Sequence, residues 1–384
     1  MKIGMLLPSV YMGSKYKNKI FAPKQLFLSL ADGLVARGHT VYVYAAPGTK
    51  TKAHLVEGHR EFIEKDLISP KFRGLDQITK LKNARIATKT EYEIDLSMKA
   101  YTHGREKKLD IMHSYHDFMA HYINRLADLP TVYTIHDPLP LRKHLEYWRF
   151  KHFRDDNYIF VSKSQLKNFS GLVKSVGVIC HGVDTEKFSF REGDGEYLAF
   201  IGRYIKEKGV AEAITASRKA GVTLRMVGDD AYRKLAYYQA KVRPYLEKGI
   251  IEDETFLGEA DRSSFLRNAK ALLFPILWEE PFGMVIIESM SCGTPVIAYN
   301  RGSVSEIVRD GLTGFIVDPD GEERPGKGNW VIKKQGIDGL VEAVKRIGEI
   351  DRVACRRHIE QNFTVERMVE NYERVYYKII KGRN

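Results

Sequence analysis

Two carboxylates and two cations give the first sign of chemistry in this chain. In ILWEEPFGMVIIESMSCGTPVIA (276–298), Glu280 and Glu288 bracket seven residues with no other charge, and FIGRYIKEKGV (200–210) supplies Arg203 and Lys208. A guanidinium is a planar fork and an ammonium a point charge, so together near a helix start they make a diphosphate clamp. If 280–288 were all helix, the two carboxylates would stand about 80° apart and roughly 12 Å along the axis, too far to cooperate. With Glu280 on a loop and Glu288 two turns into a helix, both can instead meet one extended polar ligand lying across the helix start. The positive helix terminus and Gly283, which lacks a side chain, suit anionic or hydroxyl-rich groups there. Taken singly, Glu280 serves as well as a simple N-terminal charge, Glu288 as a solvated helix residue, and Arg203 with Lys208 as a solvated loop. Together they describe a site for a phosphate joined to a sugar. The first half adds histidines. MHSYHDFMA holds His113 and His116, and TVYTIHDP holds His136 and Asp137. A lone histidine is more often structural, but three at strand ends could orient an acceptor hydroxyl or hydrogen-bond a transferring sugar.

These residues need strands to place them. Short β-branched or apolar runs alternate with helical patterns from end to end, which predicts parallel α/β architecture. The first set is 2–9, 40–46, 110–115, 131–136, 158–162 and 176–182. PKQLFLSLADGLVARGH has Leu26, Leu30 and Leu34 every four residues and Gly38 as a stop, so it reads as the helix of a βαβ unit. The second set is 196–203, 223–230, 254–259, 270–276, 294–300 and 313–318. After the fourth of these, Pro281 is placed to open a helix that runs from Phe282 until Gly293. Residues 48–108 are the least legible, being rich in Lys and Arg with weak periodicity. The expectation is two doubly wound Rossmann-like domains, 1–185 and 186–364, with TEKFSFREGDGE (185–196) as linker. An amphipathic helix at about 365–384 is expected to pack back on the first domain. Open α/β sheets bind ligands beyond the carboxyl ends of their strands, so two facing sheets would leave a cleft between them.

At 384 residues, two ordinary cores are the default. No apolar run approaches the roughly 20 residues that cross a bilayer, and the start lacks a signal peptide, so a cytoplasmic location is expected. The three cysteines, Cys180, Cys292 and Cys355, fit no paired metal spacing and are read as structural. Of the net charge of +12, residues 1–185 carry 29 Lys+Arg against 18 Asp+Glu. Such a field attracts a phosphorylated substrate, an acidic lipid surface or nucleic acid, or merely solubilises.

The order GRYIKEKG, VGDD, TFLGE, EPFGMVIIE, SCGTPVIAYNRGSVSEIV and DGLTGFIVDP resembles family 4 of the nucleotide-sugar glycosyltransferases, of GT-B fold. WEEPFGMVIIESMSCGTPVIA is especially similar to the avilamycin-pathway branch. The likeness is near continuous over 176–320 and weaker over 1–47 and 110–165. It implies that Arg203 and Lys208 hold the donor diphosphate, Glu280 the sugar hydroxyls and Glu288 the ribose. It also implies backbone amides of Phe282 and Gly283 near the sugar, with Met284 and Val285 by the phosphates. Gly202 falls in the same donor loop. In the family's H-x-H segment the second histidine approaches the sugar, a position His116 occupies; His113 is read as structural and His136 as secondary. Relatives often carry paired glycines in the first loop, where SVYMGSKYKNK has only Gly13, with Lys15, Lys17 and Lys19 as compensation.

The expected reaction is hexosyl transfer from a UDP- or GDP-sugar, with retention implied by the resemblance. Arg203, Lys208 and a helix terminus would stabilise the leaving diphosphate without cofactor or metal. Asp318-Pro319-Asp320 spells D-x-D but reads as a turn. A same-fold epimerase or phosphorylase is the alternative, though the extra acid or cofactor lysine it needs does not stand out. A dinucleotide oxidoreductase would need G-x-G-x-x-G after the first strand, which is absent. Retention of both glutamates with Arg203 and Lys208 disfavours a non-catalytic subunit. Nucleic acid is not an expected partner, for no module supports it. The basic first half instead suggests an anionic or lipid-linked acceptor and peripheral contact at the inner membrane face. His136, Asp137, Lys15, Lys17, Lys19 and the stretch Lys71 to Lys89 are the acceptor-side candidates.

Overall fold

The computed structural model describes residues 1–13, 22–64, 77–115, 118–254, 258–321 and 329–382, with backbone only for 22, 64, 77–88 and 259–260. The chain forms two units. The first comprises Met1–Phe160, Phe169–Ile179 and Met368–Asn384; the second comprises Val161–Asn168 and Cys180–Arg367.

Among the described residues the first unit holds β1 (Lys2–Leu6), β2 (Thr40–Ala45), β3 (His54–Glu57), β4 (Ile111–Ser114), β5 (Thr131–Ile135), β6 (Asn157–Phe160) and β7 (Ser175–Val178). They make a seven-stranded sheet ordered β3-β2-β1-β4-β5-β6-β7, parallel throughout. β4 and β5 are buried along their whole length, as central strands covered on both faces must be. β3 lies in the stretch that was least legible as sequence. So does a helix, Gln77–Glu106, whose weak periodicity hid it.

The second unit holds β8 (Tyr197–Ile201), β9 (Leu224–Val227), β10 (Ile251–Glu254), β11 (Ala269–Phe274), β12 (Val296–Tyr299) and β13 (Gly314–Val317). Its six-stranded parallel sheet is ordered β10-β9-β8-β11-β12-β13. The order reverses between β8 and β11, the switch point at which such sheets open a crevice. The strand expected at 254–259 is corrected. β10 ends at Glu254, and by Glu259 the chain has entered the helix Glu259–Arg267. The strand IEDE escaped notice because it is acidic: Arg225 meets Glu254 and Arg233 meets Asp253 at 2.7 Å, so an edge strand carries charge without cost. Residues 185–196 pack on this unit rather than hanging free. Phe188 is buried, and the carbonyls of Thr185 and Phe188 accept from Arg356 at 3.1 and 2.8 Å.

The helix Val365–Lys381 buries Met368, Val369, Tyr372 and Tyr376, and from Met368 onward it belongs to the first unit. Tyr376 Oη meets His113 Nδ1 at 2.6 Å, and Tyr372 Oη meets Thr134 Oγ1 at 3.1 Å. Glu373 accepts from Arg37 at 2.6 Å and lies 2.6 Å from His39 Nε2.

Candidate active site

β8 and β11 are neighbours, so the loops leaving their carboxyl ends meet. After β8 the chain passes Gly202 and Arg203, makes a single turn at Lys206–Lys208, and enters the helix Val210–Ala220 through Gly209 at φ +72°. A Cβ on Gly209 would lie 1.8 Å from the Pro275 carbonyl oxygen, so only glycine lets the two loops touch. The Leu277 amide then donates to the Glu207 carbonyl at 2.9 Å, fixing Lys208 beside the loop after β11.

That loop runs from Pro275 to Gly283. The helix expected from Phe282 begins at Met284 and runs to Ser291, which corrects its start. Gly283 sits at φ +86°, outside helical space, and two bonds hold the residues before it as a loop. The Ser303 amide donates to the Glu280 carbonyl at 3.0 Å, and the Ser303 hydroxyl donates to the Phe282 carbonyl at 2.6 Å.

The side chains converge. Lys208 Nζ donates to Glu280 Oε2 at 2.6 Å, and the Trp278 indole donates to the same oxygen at 2.7 Å. The Lys208 ammonium is 4.8 Å from the Trp278 ring centre and the Arg203 guanidinium 5.5 Å, so one indole carries both cations on its π-system. Lys208 and Glu280 keep 15% and 12% of their side-chain surface open to solvent, enough for a ligand to reach either. Glu279 is occupied elsewhere, accepting from the Gly302 amide at 2.7 Å. Glu288 is buried one turn into the helix and lies 3.5 Å from Arg262 in an ion pair. The structure thus brings Arg203, Lys208 and Glu280 together, while Glu288 pairs with Arg262.

Gly202 donates its amide to Val227 at 3.0 Å. Phe282 is buried edge-on to His181, with ring centres 4.9 Å apart. Met284 and Val285 are half-buried against the core. Sequence reasoning did not single out Trp278, because a tryptophan in an apolar run gives no sign that its N–H finds a carboxylate. Nor did it see Tyr204, in the loop after β8, whose hydroxyl donates to Asp253 at 2.6 Å.

In the first unit, Gly13 ends a short turn with its amide bonded to the Val10 carbonyl at 3.1 Å. His136 follows β5 with its ring 4.7 Å from that of Tyr115, and Asp137 beside it is exposed. His113 is fully buried with both ring nitrogens engaged, and burial pushes its pKa down to about 3. His116, Lys15, Lys17 and Lys19 lie outside the described residues, as do residues 71–76 of the stretch from Lys71 to Lys89, in which 77–88 are described as backbone only. Asp318 accepts from Asn300 at 3.2 Å and from the Trp330 indole at 3.1 Å. Among the described residues no helix is long and apolar enough to cross a membrane.

Residues 25–187 match the model for Glycosyltransferase Family 4, and residues 183–325 that for Glycosyl transferases group 1. The two matches run without a break from 25 to 325, and the chain belongs to the family 4 glycosyltransferases of GT-B fold. A glycosyltransferase of Methanocaldococcus jannaschii is 25% identical over 286 residues, 71% of this chain and 76% of that one. A solved glycosyltransferase involved in avilamycin A biosynthesis matches with a TM-score of 0.66 at 19% identity, over 99% of this chain and 98% of that one. Anabaena HepE, solved in complex with UDP and glucose, matches with a TM-score of 0.67 at 18% identity, over 98% of this chain and 100% of that one.

Proposed function

We propose that this glycosyltransferase moves a hexosyl group from a UDP- or GDP-sugar to an acceptor hydroxyl, with retention and without a metal ion. The observation that supports it best is the meeting of Arg203, Lys208 and Glu280 at the point where the second sheet reverses its strand order. Arg203 and Lys208 hold the diphosphate, with Gly202 and Gly13 lining its approach. Glu280 and the amides of Phe282 and Gly283 hold the sugar, Met284 and Val285 lie by the phosphates, and Glu288 binds the ribose. His116 is assigned to the sugar, and His136, Asp137 and Lys15 to the acceptor side.

In the resting protein Lys208 and Glu280 neutralise one another. A diphosphate draws the ammonium toward itself and leaves the carboxylate to accept hydroxyl hydrogen bonds, so each half of the donor is traded for one half of the ion pair. In the reaction the bond from the anomeric carbon to the diphosphate oxygen breaks, and its electron pair leaves with the diphosphate. The acceptor oxygen bonds to that carbon on the face the diphosphate vacates, and its proton passes to the departing diphosphate. Two fixed cations supply the charge stabilisation this departure needs. HepE's complex with UDP and glucose makes UDP-glucose the first donor to try.

The test is a panel of nucleotide sugars scored by donor hydrolysis and by the rise in melting temperature that ligand binding to the native state produces. One nucleotide sugar should raise both signals, chelator should leave them unchanged, and Lys208→Ala should lower hydrolysis by about 100- to 1000-fold. A panel without a response would refute the reading.

A further inference from the structure

The first unit leaves large apolar side chains in solvent along residues 141–154. Leu141 is 59% exposed, Leu145 71% and Trp148 54%. The helix Leu145–His152 already buries its other face: Phe150 is in the core, and Arg149 lies buried over the Phe118 ring at 5.2 Å. Leu145 and Trp148, three positions apart, share the outer face. Trp148 is nonetheless held in place. Its indole donates to the Arg142 carbonyl at 2.9 Å, and the Lys151 ammonium stands 5.0 Å from its ring centre.

Cations frame this apolar face. Arg142, Lys143, Lys151 and Arg154 are all exposed, and between 141 and 154 the chain has a single acid, Glu146. Contiguous exposed apolar groups mark an interaction surface. An indole with a leucine beside it, ringed by Lys and Arg, suits the headgroup layer of an anionic bilayer: the ring and aliphatic carbons enter the interface and the cations meet lipid phosphates. The surplus of 29 basic over 18 acidic residues in 1–185 adds a long-range pull of the same sign.

We propose that this face seats the first unit on an anionic membrane surface, with Leu141, Leu145 and Trp148 in the headgroup layer and Arg142, Lys143 and Lys151 on lipid phosphates. The docking asks nothing of the donor cluster. Only its consequence, that the acceptor hydroxyl belongs to a lipid-borne molecule, rests on the transferase reading above.

The test floats the full chain with vesicles of phosphatidylcholine alone and of phosphatidylcholine mixed with phosphatidylglycerol. The chain should bind the anionic vesicles only, leave them at high salt, and show a blue shift of tryptophan emission that is missing in Trp148→Phe. Leu145→Glu, and separately Arg142→Glu with Lys143→Glu, should each lower partitioning about tenfold or more. Both variants should melt like the parent and hydrolyse donor in solution at its rate. No flotation with anionic vesicles, or equal flotation of these variants and the parent, would overturn the proposal. A chain that floats as described but neither binds nor hydrolyses any nucleotide sugar supports the docking and refutes the transferase details alone.

Discussion

The two edges of the second sheet use arginine and lysine in opposite ways. At the carboxyl edge, Lys208 and Arg203 rest on an indole and a single carboxylate, partners that a ligand can replace. At the amino edge, Arg352 spends its guanidinium on fixed acceptors: the carbonyls of Arg191, Ala269 and Arg267 and the Thr294 hydroxyl, at 2.7 to 3.0 Å. Burial pulls the pKa of Arg352 down, so its charge is retained against desolvation by those bonds. A saturated cation stabilises a fold, whereas one with an exchangeable partner remains available to bind something else. His113 repeats the saturated pattern in the first unit.

Substitutions can separate the two edges. Arg352→Ala strands four acceptors, two of them buried, and should cost about 4 kcal/mol of stability, read as a lower melting temperature, with turnover per folded molecule preserved. Lys208→Ala should do the reverse: turnover drops by about 100- to 1000-fold, or about 3–4 kcal/mol of barrier, while melting hardly moves. If Lys208→Ala instead unfolded the chain, the distinction between the edges would fail. Gly209→Ala blurs them on purpose. Its φ of +72° and the collision with Pro275 should cost about 2 kcal/mol in melting and reduce turnover too, by pushing Lys208 off Glu280.

The last effect is one of pH. Burial holds His113 at about 3, against 6.5 for an ordinary histidine, so below 6.5 the unfolded chain binds a proton that the fold refuses. Its neutral form therefore gives full stability above 6.5, and stability declines as pH falls toward 3, by at most about 1.4 kcal/mol per unit. Melting of His113→Gln between pH 7 and 5 should be flatter than that of the parent.

Much of this was legible in the sequence because parallel strands buried on both faces read as apolar runs. Both glutamates and both cations could be placed after strands on that ground. β3 and the helix Gln77–Glu106 were not legible, since half-exposed HLVE and a helix with little amphipathic contrast leave no period to find. β10 was displaced because its acids are satisfied by arginines from distant positions. The helix start was misplaced by two residues because Gly283 and the Ser303 bonds outweigh the local preference of Pro281. Trp278 was invisible for a related reason: its role exists only once two strand-end loops touch.

The closure of the first sheet by residues 368–381 has a consequence for biosynthesis. His113, Thr134 and Gly33 acquire their covering partners only when Val369, Tyr372 and Tyr376 have been made. The half that is made first therefore completes its packing only with residues 368–381, whereas the second unit draws on nothing beyond Arg367. A chain cut back to Arg367 should therefore resist protease in its second unit and be cut in its first.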